Sequence, residues 1–186
     1  MGHAWQHFKT ITYHKVLVAK GCFRVGLYRQ GILHDLSKYS PTEFRVGVKY
    51  YQGNRSPNNA EREDIGYSSA WLHHKGRNRH HYEYWIDYGL EAGPNCMIPV
   101  PMPDKYIAEM IMDRIAASKV YRGADYVNSD PLDYLLKGKE IIPMHPETLE
   151  KLERMLRILA VDGEEALYAA IRRELLGKAD APDRQK

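Results

Sequence analysis

The chain has 186 residues, of which 44% are hydrophobic and 27% are charged, and its formal net charge is +3. This length and composition are typical of one globular domain with its own core. The small net charge gives no sign of nucleic-acid binding. Because no apolar run approaches the roughly 20 residues that span a bilayer, we expect neither a transmembrane helix nor a membrane partner.

The two cysteines and the first residues of the chain indicate the cellular compartment. Cys22 and Cys96 are spaced like neither a zinc motif nor a redox motif. Residues 1–9 lack the apolar segment of a signal peptide. We therefore expect reduced thiols in a cytoplasmic protein.

The first predicted element is one long or kinked helix from about residue 3 to residue 29. At 3.6 residues per turn, one face of this helix carries histidines followed by apolar residues. His14 lies where that face turns apolar, and Gly31 marks a bend after the helix. The residues of this face are His3, His7, His14, Val18, Gly21 and Val25.

The rest of the chain reads as further helices, and because no alternating strand pattern is present, the predicted fold class is all-α. We predict a domain over residues 1–135 and a helical extension over 136–186 that packs on it and ends in a disordered tail. The predicted elements, in chain order, are a short helix with His34 and Asp35, a helix starting at Ser40 and Pro41, a polar loop over 52–59, helices over about 60–74 and 80–88, a proline-rich segment over 93–103, a helix over 104–121, mixed structure over 122–145, and helices over about 146–159 and 163–176.

Histidine and aspartate are common ligands of divalent transition metals, and two segments of this chain concentrate them. His34 and Asp35 are adjacent, and four of the nine histidines fall within residues 73–81. A turn that contains Gly76 can direct histidines from both of its sides into one pocket. A chance cluster of exposed histidines, or a pH-sensitive surface, is the alternative. The four histidines form two adjacent pairs, His73 with His74 and His80 with His81.

Asp113 completes the pattern. Its helix places it on a face with Tyr106, Met110 and Ala117, where a buried carboxylate is costly unless it is paired or bound to a metal. An ion pair with a lysine or arginine explains Asp113 by itself, but the histidines make a metal ligand the preferred interpretation. Glu109, one turn earlier, is a candidate for orienting a ligand, although a surface salt bridge is the preferred interpretation of this residue.

Basic residues interleave with the histidines. Lys75, Arg77 and Arg79 all lie within the histidine-rich segment. Cations beside a metal suit a substrate that carries a phosphate group. A solvated loop is an equally good interpretation of each of these three charges.

The order of these residues resembles that of the HD-domain superfamily of metal-dependent phosphohydrolases. Its members bind metal through a histidine, an adjacent His-Asp pair and a late aspartate, and members with two metals add two histidines before that aspartate. Residues 34–38, His-Asp-Leu-Ser-Lys, are similar to the His-Asp-x-Gly-Lys run of many members. Over residues 3 to about 135 the chain also looks like a family of short uncharacterised proteins with His-Asp-Leu-Ser-Lys-Tyr-Ser and His-His-Lys-Gly-Arg-Asn elements.

The resemblance implies an HD-domain-like helical bundle that binds one or two divalent transition-metal ions (Mn, Fe, Zn, Ni or Co). The first metal would be bound by His14, His34, Asp35 and Asp113. The second metal would be bound by His74, His81 and Asp35, which would bridge the two metals. His73 is the alternative ligand to His74, and His80 is the alternative ligand to His81. The implied catalytic residues are Asp35 and Lys38, and the implied substrate-binding residues are Lys38, Lys75, Arg77 and Arg79.

Three functions are compatible with this pattern. The first is a phosphohydrolase that uses metal-activated water on a nucleotide or another small phosphate ester. The second is a di-iron oxygenase on the same scaffold, because ligand identity does not select one metal. The third is a protein that binds a metal or a nucleotide without catalysis. The predicted partner is a small phosphate-bearing molecule, with no nucleic acid and no membrane, and a homodimer is left open.

Overall fold

The computed structural model describes residues 2–90 and 97–178, and this part of the chain is mainly α-helical. The prediction of an all-α fold is therefore confirmed. No helix among the described residues has the length and apolarity needed to cross a membrane. The helices are α1 (His3–Arg24), α2 (Tyr28–Leu33), α3 (Pro41–Lys49), α4 (Pro57–Ile65), α5 (Ser69–Lys75), α6 (Asp104–Arg122), α7 (Asp130–Gly138) and α8 (Pro146–Ala170).

The hydrophobic core lies between α1, α6 and α8. Buried apolar side chains recur every three or four residues on the inner face of each helix, as expected for helices that pack side by side. Gly21 allows a close approach of α1 to α6, because a Cβ atom there would lie 2.6 Å from Sδ of Met112. Representative core residues are Val18 and Cys22 from α1, Ile107, Ile111 and Ile115 from α6, and Leu152, Leu156 and Leu159 from α8.

The predicted helix over residues 80–88 is wrong. The structure has a 3₁₀ turn at Tyr82–Trp85 and then the strand β1 (Ile86–Tyr88), which pairs antiparallel with β2 (Met97–Pro99). Aromatic and β-branched residues favour extended backbone, and the prolines on the β2 side exclude a helix there. Three-residue strands are too short to show an alternating pattern, so the sequence reading missed both of them.

Glycines account for most of the other boundary differences. The first helix ends at Arg24 rather than near residue 29, because Gly26 adopts a φ of +73°. The predicted helix over 60–74 is divided into α4 and α5 by Gly66, and Ser68 then caps α5. Gly31 lies inside α2 and not at a bend.

The predicted short helix with His34 and Asp35 is wrong, because α2 ends at Leu33 and both residues lie between it and the 3₁₀ turn Leu36–Tyr39. The predicted loop over 52–59 is too long, because α4 begins at Pro57.

The local signals of α3, α6 and the last helix predict their positions correctly. Helix α6 covers almost the predicted range, and the Ser40 side chain caps α3 by accepting a hydrogen bond from the backbone N–H of Glu43. Gly163 breaks the helical backbone inside α8, at the predicted start of the last helix. Cys22 is a buried free thiol, whereas Cys96 and the predicted disordered tail beyond residue 178 lie outside the described residues.

Gly47 fixes how closely α3 approaches α1. A Cβ atom at this position would lie 2.1 Å from Nε2 of the buried His7. We expect Gly47→Ala to lower the free energy of unfolding by about 1–3 kcal/mol, because the buried His7 ring or one of the two helices must shift. For a protein of this size, each kcal/mol corresponds to a drop of roughly 2–4 °C in melting temperature, which calorimetry measures.

The matched control for Gly47→Ala is Gly138→Ala at the end of α7. A Cβ atom there would meet only the Ile142 side chain, at 3.4 Å. This change should be neutral or slightly stabilising, since alanine is the better helix former by about 1 kcal/mol. Equal melting temperatures for Gly47→Ala and the wild type would contradict the close packing of α1 and α3.

Candidate metal centre

Asp35 lies at the centre of the site and has an unusual backbone conformation. Its φ of +53° and ψ of +25° fall in the left-handed region, and it is the only non-glycine residue with positive φ in the described chain. The residue joins α2 to the 3₁₀ turn Leu36–Tyr39, and it is 1% exposed. Aspartate tolerates this conformation better than most residues, and such backbone strain is concentrated at functional sites.

One oxygen of Asp35 faces the three other residues predicted to hold the first metal. Its Oδ2 atom is 3.3 Å from Nε2 of His34 and 3.7 Å from Nε2 of His14. The Oδ1 atom of Asp113 is 2.9 Å from Nε2 of His14 and 3.4 Å from Nε2 of His34. The packing of α1 against α6 thus brings together residues that are 99 positions apart in sequence.

The other oxygen of Asp35 faces the histidine-rich segment. Its Oδ1 atom is 3.2 Å from Nε2 of His74 and 3.4 Å from Nε2 of His80. The Nε2 atoms of His74 and His81 are 2.9 Å apart. The structure therefore places His80 beside His74 and His81, whereas the sequence predicts His80 only as an alternative ligand to His81. His73 lies outside this group and faces Glu43 instead.

Apart from the 3.7 Å between Asp35 and His14, these distances fit residues that share an ion. Two ligands bonded to one ion at about 2.0–2.1 Å, at angles between octahedral and tetrahedral, lie about 2.9–3.4 Å apart. Four atoms that face the centre are buried without a hydrogen-bond partner, namely Nε2 of His34, Nε2 of His80 and both Asp35 oxygens. Unpaired buried polar atoms are costly. The His, Asp and Glu side chains here form groups that could hold a metal ion.

Glu109 contacts a histidine from each side of Asp35. Its Oε1 atom is 3.0 Å from Nδ1 of His34 and 3.2 Å from Nδ1 of His80, and the residue is 5% exposed. The preferred interpretation of Glu109 as a surface salt bridge is therefore wrong. A carboxylate that accepts from Nδ1–H of a histidine leaves Nε2 of the same ring free to bind a metal. Its position one turn before Asp113 was the signal in the sequence.

Glu43 contacts the other pair of histidines and was not recognised in the sequence as part of the site. Its Oε2 atom is 2.8 Å from Nδ1 of His74, and its Oε1 atom is 2.6 Å from Nδ1 of His73. Like Glu109, it directs Nε2 of His74 towards Asp35. The only local signal was its place in the first turn of α3, which also explains the residue as a helix-start carboxylate.

The protonation states inside the site are strongly perturbed. Burial opposes ionisation of Asp35, but the charges of His34 and Lys38 hold its pKa well below the usual range. Burial also opposes protonation of His34, yet the charge of Asp35 raises the pKa of this ring well above the usual range. Burial, with the charge of His80, lowers the pKa of His81 well below the usual range. Because a metal replaces protons on its ligands, ion binding here should release protons.

Lys38 lies beside Asp35, and its role in catalysis and substrate binding stays a prediction. Its Nζ atom is 2.6 Å from Oδ2 of Asp35, an ion pair without the geometry of a hydrogen bond. Burial opposes the charge of Lys38, but the charges of Asp35 and Asp113 raise its pKa above the usual range. The Lys38 side chain is 28% exposed, so its ammonium group is accessible to a bound molecule.

The predicted substrate-binding residues of the histidine-rich segment lie farther out. Arg77 is exposed and donates to the backbone carbonyl of His73. Arg79 is also exposed, and its guanidinium group lies over the ring of Tyr84. Lys75 is half-buried in the last turn of α5. A role for these three residues in substrate binding stays a prediction.

The fold and the site define an all-α protein with buried histidine and aspartate groups that could hold a metal ion. The chain belongs to DUF5662, a family of unknown function, whose family model matches residues 3–158. This range contains every residue of the groups around Asp35. No curated protein and no solved structure matches the chain. These comparisons do not support membership of the HD-domain superfamily, and that resemblance stays a prediction.

Proposed function

We propose that this protein is a metal-dependent phosphohydrolase that acts on a nucleotide or another small phosphate ester. The observation that carries the proposal is the position of Asp35, whose two oxygens are buried without hydrogen bonds and face two separate groups of ligand-type atoms. A carboxylate can bridge two ions in this way, and an imidazole cannot. The resemblance of the ligand order to HD-domain phosphohydrolases supports the same proposal.

The residues around Asp35 divide into two candidate ion positions. His14, His34 and Asp113 would hold the first ion together with Oδ2 of Asp35. Three histidines would hold the second ion together with Oδ1 of Asp35, one more than the resemblance implied. The histidines of this second position are His74, His80 and His81.

The chemistry requires a nucleophilic water and compensation of phosphate charge. A divalent ion held by these residues would lower the pKa of water from about 15.7 towards 7 and so supply a nucleophile at neutral pH. Lys38 would neutralise charge that develops on the phosphate oxygens, because its partly exposed ammonium group adjoins Asp35. Glu43 and Glu109 would hold the histidine rings in their orientation.

The test is phosphate release from a panel of nucleoside monophosphates, diphosphates and triphosphates, cyclic nucleotides and p-nitrophenyl phosphate. The protein is loaded with Mn²⁺, Fe²⁺, Zn²⁺, Ni²⁺ or Co²⁺, and bound metal is measured in each sample. We expect metal-dependent release from at least one substrate. A fully loaded protein that hydrolyses none of them would contradict the proposal and favour a non-catalytic metal-binding protein.

Lys38→Gln separates catalysis from metal binding. We expect this variant to retain its metal and to lose activity by about 100-fold or more, since it lacks one charge that stabilises the transition state. Lys49→Gln is the matched control, because Lys49 is exposed on α3 and pairs with Asp64 away from the centre. Full activity of Lys38→Gln at normal metal content would remove Lys38 from the mechanism.

The di-iron oxygenase is the second candidate, because the same paired ion positions suit it. Histidine and carboxylate ligands bind iron as readily as zinc or manganese. Iron and colour in the protein as isolated, together with oxygen consumption, would favour the oxygenase. Their absence in a protein that hydrolyses phosphate esters would exclude it.

A further inference from the structure

Helix α1 exposes a stripe of apolar and basic side chains on the side opposite the metal centre. At 100° per residue, these six positions fall within an arc of about 80°. All of them are exposed, whereas His7, His14 and Val18 on the opposite face are buried. This surface, the outer stripe, consists of Trp5, Lys9, Tyr13, Val16, Lys20 and Phe23.

The outer stripe continues onto α2. The rings of Phe23 and Tyr28 pack edge to face with their centroids 5.4 Å apart. Tyr28 and Ile32 are one turn apart on α2 and are 60% and 58% exposed. Of the 22 large hydrophobic side chains exposed in the described chain, nine lie within residues 5–36. Such a concentration indicates a surface that contacts a partner.

The segment of the chain that forms this surface carries charges of one sign. Residues 1–34 contain five lysines and arginines and no aspartate or glutamate, although the whole chain is nearly balanced with 27 basic and 24 acidic residues. Lys9 and Lys20 alternate with the apolar members of the outer stripe. At its far edge Arg24 pairs with Glu165 from α8. The surface is therefore complementary to a partner that is both apolar and anionic.

We propose that the outer stripe and the exposed side of α2 rest on the surface of an anionic lipid bilayer. Tryptophan and tyrosine suit the bilayer interface, and lysines can extend their ammonium groups to lipid phosphates. Anionic lipids also attract basic segments directly. The expectation of no membrane partner rested on the lack of a spanning segment, and contact with the surface needs none.

A second copy of the chain fits the outer stripe less well. A two-fold axis between residues 14 and 15, near the middle of α1, would pair two stripes in antiparallel orientation. It would place Lys9 of one copy opposite Lys20 of the other, so that like charges meet in an apolar contact. A lipid surface brings the opposite charge to the same lysines.

The proposal is tested by sedimentation of the full-length protein with vesicles. One set contains phosphatidylcholine alone, and the other contains about one third phosphatidylserine. We expect binding to the anionic vesicles only, and weaker binding as salt is added. Lys9→Gln combined with Lys20→Gln, and separately Trp5→Ala combined with Phe23→Ala, should each weaken binding by about tenfold or more.

The matched control is Ile141→Ala combined with Val161→Ala, which removes two apolar side chains that are 85% and 82% exposed elsewhere on the surface. This control should bind vesicles like the wild type. Circular dichroism checks the fold of every variant. The lysine variant should stay folded, because Lys9 and Lys20 are exposed.

Three results would overturn the proposal: equal binding to neutral and anionic vesicles, no binding to either, or an equal loss in the control. A dimeric mass by light scattering that the outer-stripe variants abolish would assign the surface to a second copy instead. A stoichiometric complex with an acidic protein, in the absence of vesicle binding, would assign it to that partner.

Discussion

Replacing Asp35 with asparagine is expected to abolish the binding of both proposed ions. Asparagine tolerates the left-handed backbone that Asp35 adopts, so the turn after α2 should survive. It lacks the negative charge, and only one of its two terminal atoms is an oxygen, so it cannot bridge the two histidine groups. We expect the affinity for both ions to fall by more than about 100-fold, measured as bound metal per chain by elemental analysis.

Asp113→Asn is the matched comparison for Asp35→Asn. Asp113 contacts His14 and His34 and is not part of the group that contains His74 and His81. This variant should therefore lose the first ion and keep the second. A wild-type content of bound metal in Asp35→Asn would contradict the two-ion site. Loss of a single ion in both variants would show that Asp35 does not bridge.

Replacing Glu109 with glutamine is expected to weaken both ion positions by about 10–100-fold. One oxygen of Glu109 accepts a hydrogen bond from His34, on one side of Asp35, and lies 3.2 Å from Nδ1 of His80, on the other side. Glutamine keeps the size but loses the charge, so both imidazole rings become poorer donors to a metal. A two-site calorimetric titration with Zn²⁺ measures both affinities.

Glu43→Gln is the matched control, because Glu43 contacts His73 and His74 and so reaches only the second group. It should weaken one ion position and leave the other unchanged. The assignment of Glu109 would be wrong if its variant altered a single position, or if Glu43→Gln altered both. Circular dichroism of each metal-free variant verifies that the helices are intact.

Several elements of the fold could be predicted because their causes are local. The Ser40 cap and Pro41 start α3, and the sequence after Pro103 gives α6 almost its observed length. The region over residues 80–88 could not be predicted in the same way. Its strand β1 depends on pairing with β2, which a periodicity within one segment does not report.

For the site, the sequence supplied candidate residues without their geometry. The resemblance to the HD-domain superfamily implies His14, His34, Asp35 and Asp113 as one set of ligands, and the structure brings these residues together. The relation of His80 to His81 was not accessible, because the turn at Gly76 interrupts helical phase. Glu43 was missed since its contact with His74 spans 31 positions.

The sequence by itself determined an all-helical chain with histidines and aspartates in a recognisable order, because helix periodicity, caps and residue chemistry are local properties. Only the tertiary structure decided that Asp35 turns one oxygen to each histidine group, that Glu109 joins those groups, and that one face of α1 stays exposed. Each of these depends on which helices pack together, and that choice is made by side chains far apart in the chain.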